Sequence, residues 1–150
     1  MMKRILLVAG MMLIGVGAVS AQQDIVKQRQ QAMKDNGKSL GGVLGAMAKD
    51  KIPYDQKAVD AAFAQLEASG KELVSLFPDS TKGLKGEGKY SSSPKVWENR
   101  SDFETHAAKY NKAVSETKAS VKDLATLKAA VPVIGKQCSG CHETFRLKDG

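Results

Sequence analysis

Cysteine is scarce in this chain of 150 residues: Cys138 and Cys141 are the only two, so a framework of several disulfides is excluded. Whatever these cysteines do, they do together. Aromatic side chains make up only 5% of residues. Nowhere do four or more residues alternate apolar and polar side chains with β-branched enrichment, so a sheet has no sequence support. No apolar run exceeds the 15 residues of 5–19, short of the roughly 20 that a membrane-spanning helix needs. Acidic side chains are outnumbered, 16 against 23 basic, for a balance of +7. The basic charge is spread along the chain without interleaved aromatics, so a nucleic-acid groove is not indicated. What is abundant is Ala, Leu, Val and Met within an apolar share of 42%, a composition suited to helices that pack small side chains.

The first residues read as an address. Lys3 and Arg4 precede the apolar run 5–19, and Val19-Ser20-Ala21 offers small side chains for a cleavage pocket. That is the layout of a secretory signal peptide. Cleavage is expected after Ala21, leaving residues 22–150 as one soluble domain, exported to the periplasm and without membrane insertion after cleavage. Loss of Lys3 and Arg4 leaves 21 basic against 16 acidic side chains, or +5.

Four amphipathic segments follow. Val26, Met33, Leu40 and Met47 mark one face of a helix over about 24–49, with Asp24 as its cap and Pro53 as its stop. Val59, Phe63, Leu66, Leu73 and Phe77 mark a second helix over about 55–76, closed by Pro78. Residues 78–93 show no periodicity and read as an irregular crossing. Ser93 can cap a third helix with Pro94 at its first position; Val96, Phe103, Tyr110 and Thr117 are its stripe. Asp123 can cap a fourth, which carries Leu124, Leu127, Val131, Ile134, Cys138, Cys141 and Phe145 on one face, with a kink expected at Pro132. The fold class predicted is all-α, an antiparallel up-down-up-down four-helix bundle.

Cys138-Ser139-Gly140-Cys141-His142 is the strong chemical signal. Two thiols three apart on a helix can each form a thioether to a haem vinyl group, and the adjacent imidazole can then reach the iron. Three other readings are weaker. A thioredoxin-like pair needs its cysteines at the start of a helix after a strand, and here they come late in a helix. Structural zinc needs four ligands, and beyond the motif only His106 offers a further imidazole. A plain disulfide would close a small loop with little entropic gain and leave His142 without a role. Gly83 to Tyr90 nearly spells a phosphate-binding loop, but Tyr90 stands where Ser or Thr is required and no strand precedes it.

In an antiparallel bundle the end of the fourth helix lies beside the beginning of the first, so His142 should oppose a position there. Met33 is on that inward stripe. Met47 is fourteen residues further on, or roughly 21 Å, and is too far. His106 remains open by depth. Met33 as ordinary core filling remains open as well.

The chain resembles class II c-type cytochromes, the cytochrome c prime fold, and most closely their low-spin branch, cytochrome c-556. The resemblance covers essentially the whole expected mature chain. It rests on Gln22-Gln23-Asp24-Ile25-Val26 leading to Met33-Lys34-Asp35-Asn36-Gly37, on Pro53-Tyr54-Asp55, and on Leu76-Phe77-Pro78-Asp79-Ser80. It continues through Lys89-Tyr90-Ser91-Ser92-Ser93-Pro94-Lys95-Val96-Trp97-Glu98 and ends with the cysteine motif and Phe145-Arg146. It implies a bundle enclosing one haem c, covalently bound through Cys138 and Cys141, with iron ligated by His142 and Met33. Arg146 then packs beside the haem and Trp97 lies near its edge. The function implied is that of a periplasmic one-electron carrier, not an enzyme, existing as a monomer or homodimer. Lys136, Arg146 and Lys148 would steer acidic redox-partner proteins. The alternative is a high-spin, five-coordinate member that binds or sequesters nitric oxide or carbon monoxide, because Arg29-Gln30 resembles the helix-one pair of that branch.

Overall fold

The computed structural model describes residues 14–149, with side chains from Val19 onward. Helix α1 spans Ile14–Gly37 and continues without a turn through a π-helical stretch, Lys38–Leu44, into the short α2, Gly45–Ala48. Helix α3 is Gln56–Glu72, α4 Lys95–Glu98, α5 Arg100–Ser120 and α6 Leu124–Phe145. The α1/α2 rod, α3, α5 and α6 form the expected four-helix bundle. Among the described residues no helix is long and apolar enough to cross a membrane.

Local chemistry sets most boundaries. Asp55 opens α3 by accepting from the backbone N–H of Lys57 at 2.8 Å and of Ala58 at 3.2 Å. Asp123 and Thr126 form a reciprocal capping box at the start of α6. Ser93 Oγ accepts from the Lys95 N–H at 3.3 Å, as its position ahead of Pro94 predicts.

Several expectations need correction. Asp24 does not start the first helix, because α1 is already helical from Ile14. The predicted cleavage point after Ala21 therefore falls inside α1, and residues 1–13 of the predicted signal peptide lie outside the described residues. The third helix is broken at Asn99, where backbone angles of φ −116° and ψ 51° leave the helical region. Trp97 Nε1 donates to the Pro78 carbonyl at 3.1 Å, and the Arg100 guanidinium donates to the carbonyls of Phe77 and Val74 at 2.8 and 3.1 Å. These bonds tie both sides of the break to the end of the preceding segment. Helix α6 continues through Pro132, which lies inside the fourth helix as expected. Pro132 sits on the exposed face, where water can satisfy the carbonyl that loses its donor. Finally, the crossing is not wholly irregular: β1, Tyr90–Ser92, pairs antiparallel with β2, Arg146–Lys148. Strands of three residues are too short to show a period of two.

The core has two parts. Leu44 and Met47 at the end of the first rod pack with Phe63 and Leu66 of α3, Val114 of α5, and Leu127 and Ile134 of α6. The end of the first rod thus meets the first half of α6, so the two run antiparallel and the beginning of α1 faces the cysteine end of α6. Met47, 3% exposed, is core filling. The second part gathers Leu73, Leu76, Phe77, Val96, Phe103 and Phe145.

Tyr110 on α5 is buried and donates its hydroxyl proton to the Leu66 carbonyl of α3 at 3.1 Å. Burial raises its pKa far above the ordinary phenol value. The unfolded chain therefore releases this proton above about pH 10 while the folded chain keeps it. The corresponding stability is complete below that pH and is lost as pH rises beyond it. Tyr110→Phe is expected to lose less stability than the parent between about pH 9 and 11, read as urea midpoints; equal losses would contradict this.

Candidate haem site

Between the two parts of the core lies a cavity of about 660 Å³, within the usual range of about 300–1,000 Å³ for ligand sites. Its wall is mainly apolar, with Val26, Leu40, Leu66, Leu73, Phe77, Phe103 and Phe145 among the lining residues. The strap from Leu84 to Ser92 closes one side. Gln30 holds that strap to α1, donating to the Glu87 carbonyl at 2.8 Å and accepting from its N–H at 3.2 Å.

Cys138, Cys141 and His142 all line this cavity. Their spacing on α6 puts them on one face, since residues three and four apart are neighbours on a helix. Cys138 packs against the first part of the core and Cys141 against the second. Both are half-buried. Burial raises both thiol pKa values, that of Cys141 to about 11, so both hold their protons at neutral pH. The His142 pKa is lowered, first by burial and then by the positive charge of Arg146. A neutral imidazole keeps a lone pair for a metal.

Met33 enters the same wall from α1, half-buried against the second part of the core. Arg146 lines the rim, its guanidinium 4.4 Å from the centre of the Tyr90 ring. Trp97 is not on the wall: it stands one layer back, half-buried, with its ring centre 6.3 Å from that of Phe77. His106 does line the cavity, with its ring centre 5.5 Å from that of Phe145 and steeply inclined to it, and Nε2 3.9 Å from Asp102 Oδ1.

Arg29 is the residue whose importance the sequence reading passed over. It lines the cavity yet is only 4% exposed. Its guanidinium donates to Thr81 Oγ1 at 3.0 Å and the Leu84 carbonyl at 3.3 Å, and lies 5.0 Å from the Phe77 ring centre and 5.8 Å from that of Trp97. Among the described residues no carboxylate pairs with it. A signal was available, because Val26, Arg29 and Met33 fall at helical spacing and place a charge on the inward stripe.

These residues fit a haem c. Two thiols for thioethers, a neutral imidazole, an apolar void of suitable size and a buried cation able to answer a propionate all meet at one cavity. Among the described residues no group of three or more His, Cys, Asp or Glu could hold a bare metal ion. A shallower polar groove of about 620 Å³, lined by Gln56, Asp60, Glu67 and Lys118, has no comparable set.

A family model described as Cytochrome C' matches residues 24–146. The chain belongs to the cytochrome c' family. It is 53% identical over 150 residues to a cytochrome c-556 of Rhodopseudomonas palustris, covering 99% of this chain and all of that one. To a cytochrome c' of the same organism it is 34% identical over 146 residues, covering 97% of each. Its fold matches an NMR-validated structural model for oxidized R. palustris cytochrome c556 with a TM-score of 0.74 and 54% identity, covering 85% of this chain and 99% of that one. Membership makes it an electron-carrier-type haem protein rather than an enzyme, with haem c bound covalently. Cys138 and Cys141 are its only cysteines, and so the only thiols the chain has for thioethers.

Arg29→Met in the holoprotein is expected to cost about 3–5 kcal/mol of stability, the scale for leaving a buried charge without its partner. Chemical denaturation measures it. A loss below about 1 kcal/mol would mean that Arg29 answers no buried propionate.

Proposed function

We propose that this cytochrome is a periplasmic one-electron carrier whose low-spin iron is held by His142 on one side and Met33 on the other. The observation that carries the reading is that α6 and α1 bring His142 and Met33 to the wall of one cavity. The relative named cytochrome c-556, at 53% identity over the whole chain, agrees with it. Export is read from Lys3 and Arg4, the apolar run behind them and the small residues ahead of Gln22.

Haem iron supplies a couple between ferric and ferrous states, one electron at a time. The chain's own residues set its terms. A Met33 thioether favours the ferrous form and so raises the potential, and the apolar wall of Phe77, Phe103 and Phe145 acts in the same direction. Two protein ligands keep the site unchanged between oxidation states, so little reorganisation accompanies transfer. Lys136, Arg146 and Lys148 are exposed, and no carboxylate among the described residues pairs with them. They favour encounter with an acidic redox protein, at a rate that falls with salt.

Replacing Met33 with Ala tests the ligand assignment. The ferric spectrum is expected to change from low-spin to high-spin while the haem stays covalently attached. An unchanged spectrum would remove Met33 from the iron. A parent protein already high-spin would favour the gas-binding reading instead.

A further inference from the structure

Among the described residues, Asn36 Oδ1 is the one buried side-chain oxygen or nitrogen with no hydrogen-bond partner. Asn36 follows Met33 by three residues on α1, which puts the two side chains on one face with Cβ atoms about 5–6 Å apart. Both line the cavity. The other end of the amide is anchored: Nδ2 meets Ser69 Oγ of α3 at 2.8 Å, and Ser69 is itself buried. An orphaned amide oxygen costs free energy, so its surroundings need a physical account.

The Ser69 hydroxyl can serve either end of the amide, accepting from Nδ2 or donating to Oδ1. With the amide turned by half a rotation, the two ends exchange places. Ser69 then donates to Oδ1, and its own proton gains an acceptor. Nδ2 comes to stand where the orphaned oxygen stood, one turn along the helix from a thioether. That thioether has a lone pair to offer.

We propose that Asn36, anchored by Ser69, donates from Nδ2 to the Met33 sulfur and is a positioning residue for the iron ligand. The proposal rests on the reading of Met33 as ligand. Sulfur carries two lone pairs: one is directed to iron and the other accepts the N–H, with no proton transferred. Met33 has three rotatable side-chain bonds and is otherwise held only by packing, so a directed bond fixes its sulfur toward the cavity. The bond is made only while the sulfur is held toward the cavity, so it favours the closed arrangement in both oxidation states; it also draws electron density from the sulfur, which offsets part of that gain on ferric iron and less of it on ferrous iron. Asn36 therefore tightens the closed site and raises the potential.

The test uses the holoprotein with Asn36→Leu, which keeps the branching at Cγ and removes the amide. Imidazole is titrated into the ferric protein, and the reduction potential is measured alongside. Imidazole is expected to displace Met33 at about three- to tenfold lower concentration, the worth of one net hydrogen bond, and the potential is expected to fall. Ser69→Ala should move both readouts in the same direction, and the double variant should go no further than Asn36→Leu. If Asn36→Leu lowers only the melting temperature, leaving imidazole affinity and potential at parent values, Asn36 is structural and the proposal is overturned. An unaltered low-spin spectrum in Met33→Ala would instead overturn the ligand reading, and this proposal with it.

Discussion

The geometry of α6 is the constraint on which the site depends. Residues three and four apart on a helix share a face, so Cys138, Cys141 and His142 reach one cavity only while α6 stays helical past Cys141. The chain secures that continuity at both ends. A capping box at Asp123 and Thr126 starts the helix, and burial of Phe145 followed by the β1/β2 ribbon ends it. Leu127 and Ile134, both fully buried, seat the first half of α6 in the core, so the second half can face a void without the helix losing its footing. Pro132 is tolerated because it points outward.

The opposite wall answers a different physical demand. A guanidinium buried without a carboxylate is costly, and Arg29 meets part of that cost through Thr81, the Leu84 carbonyl and two aromatic faces. The remainder is an appeal for an anion. A haem that enters this cavity brings carboxylates with it. Arg29, Met33 and Asn36 follow one another along α1, so a single helix presents a counter-charge, a soft donor and an amide to one side of the cavity. Gln30, one step round the same helix, fastens the strap that closes it.

Most of the bundle could be read from the chain because its cues are local. Ser93 and Asp123 cap where their positions relative to Pro94 and Leu124 indicate, and the stripes of α3, α5 and α6 give the buried residues. What escaped the reading arises between segments. The break at Asn99 follows from Trp97 and Arg100 reaching carbonyls of the preceding segment, which no window along the sequence contains. The β1/β2 ribbon joins stretches more than fifty residues apart. The place of Trp97 behind Phe77, and of Arg29 on the wall in front of it, likewise depends on how the strap crosses. The five residues from Cys138 to His142 were legible for the opposite reason, since their chemistry is written in adjacent positions.

The central claim is a closed iron site with one protein ligand from α6 and one from α1. The visible absorption spectrum of the purified protein, ferric and dithionite-reduced, before and after adding carbon monoxide, tests it most directly. A closed site predicts low-spin spectra in both oxidation states that the gas leaves unmoved. A high-spin spectrum that shifts with carbon monoxide would contradict the account and mark an open iron face.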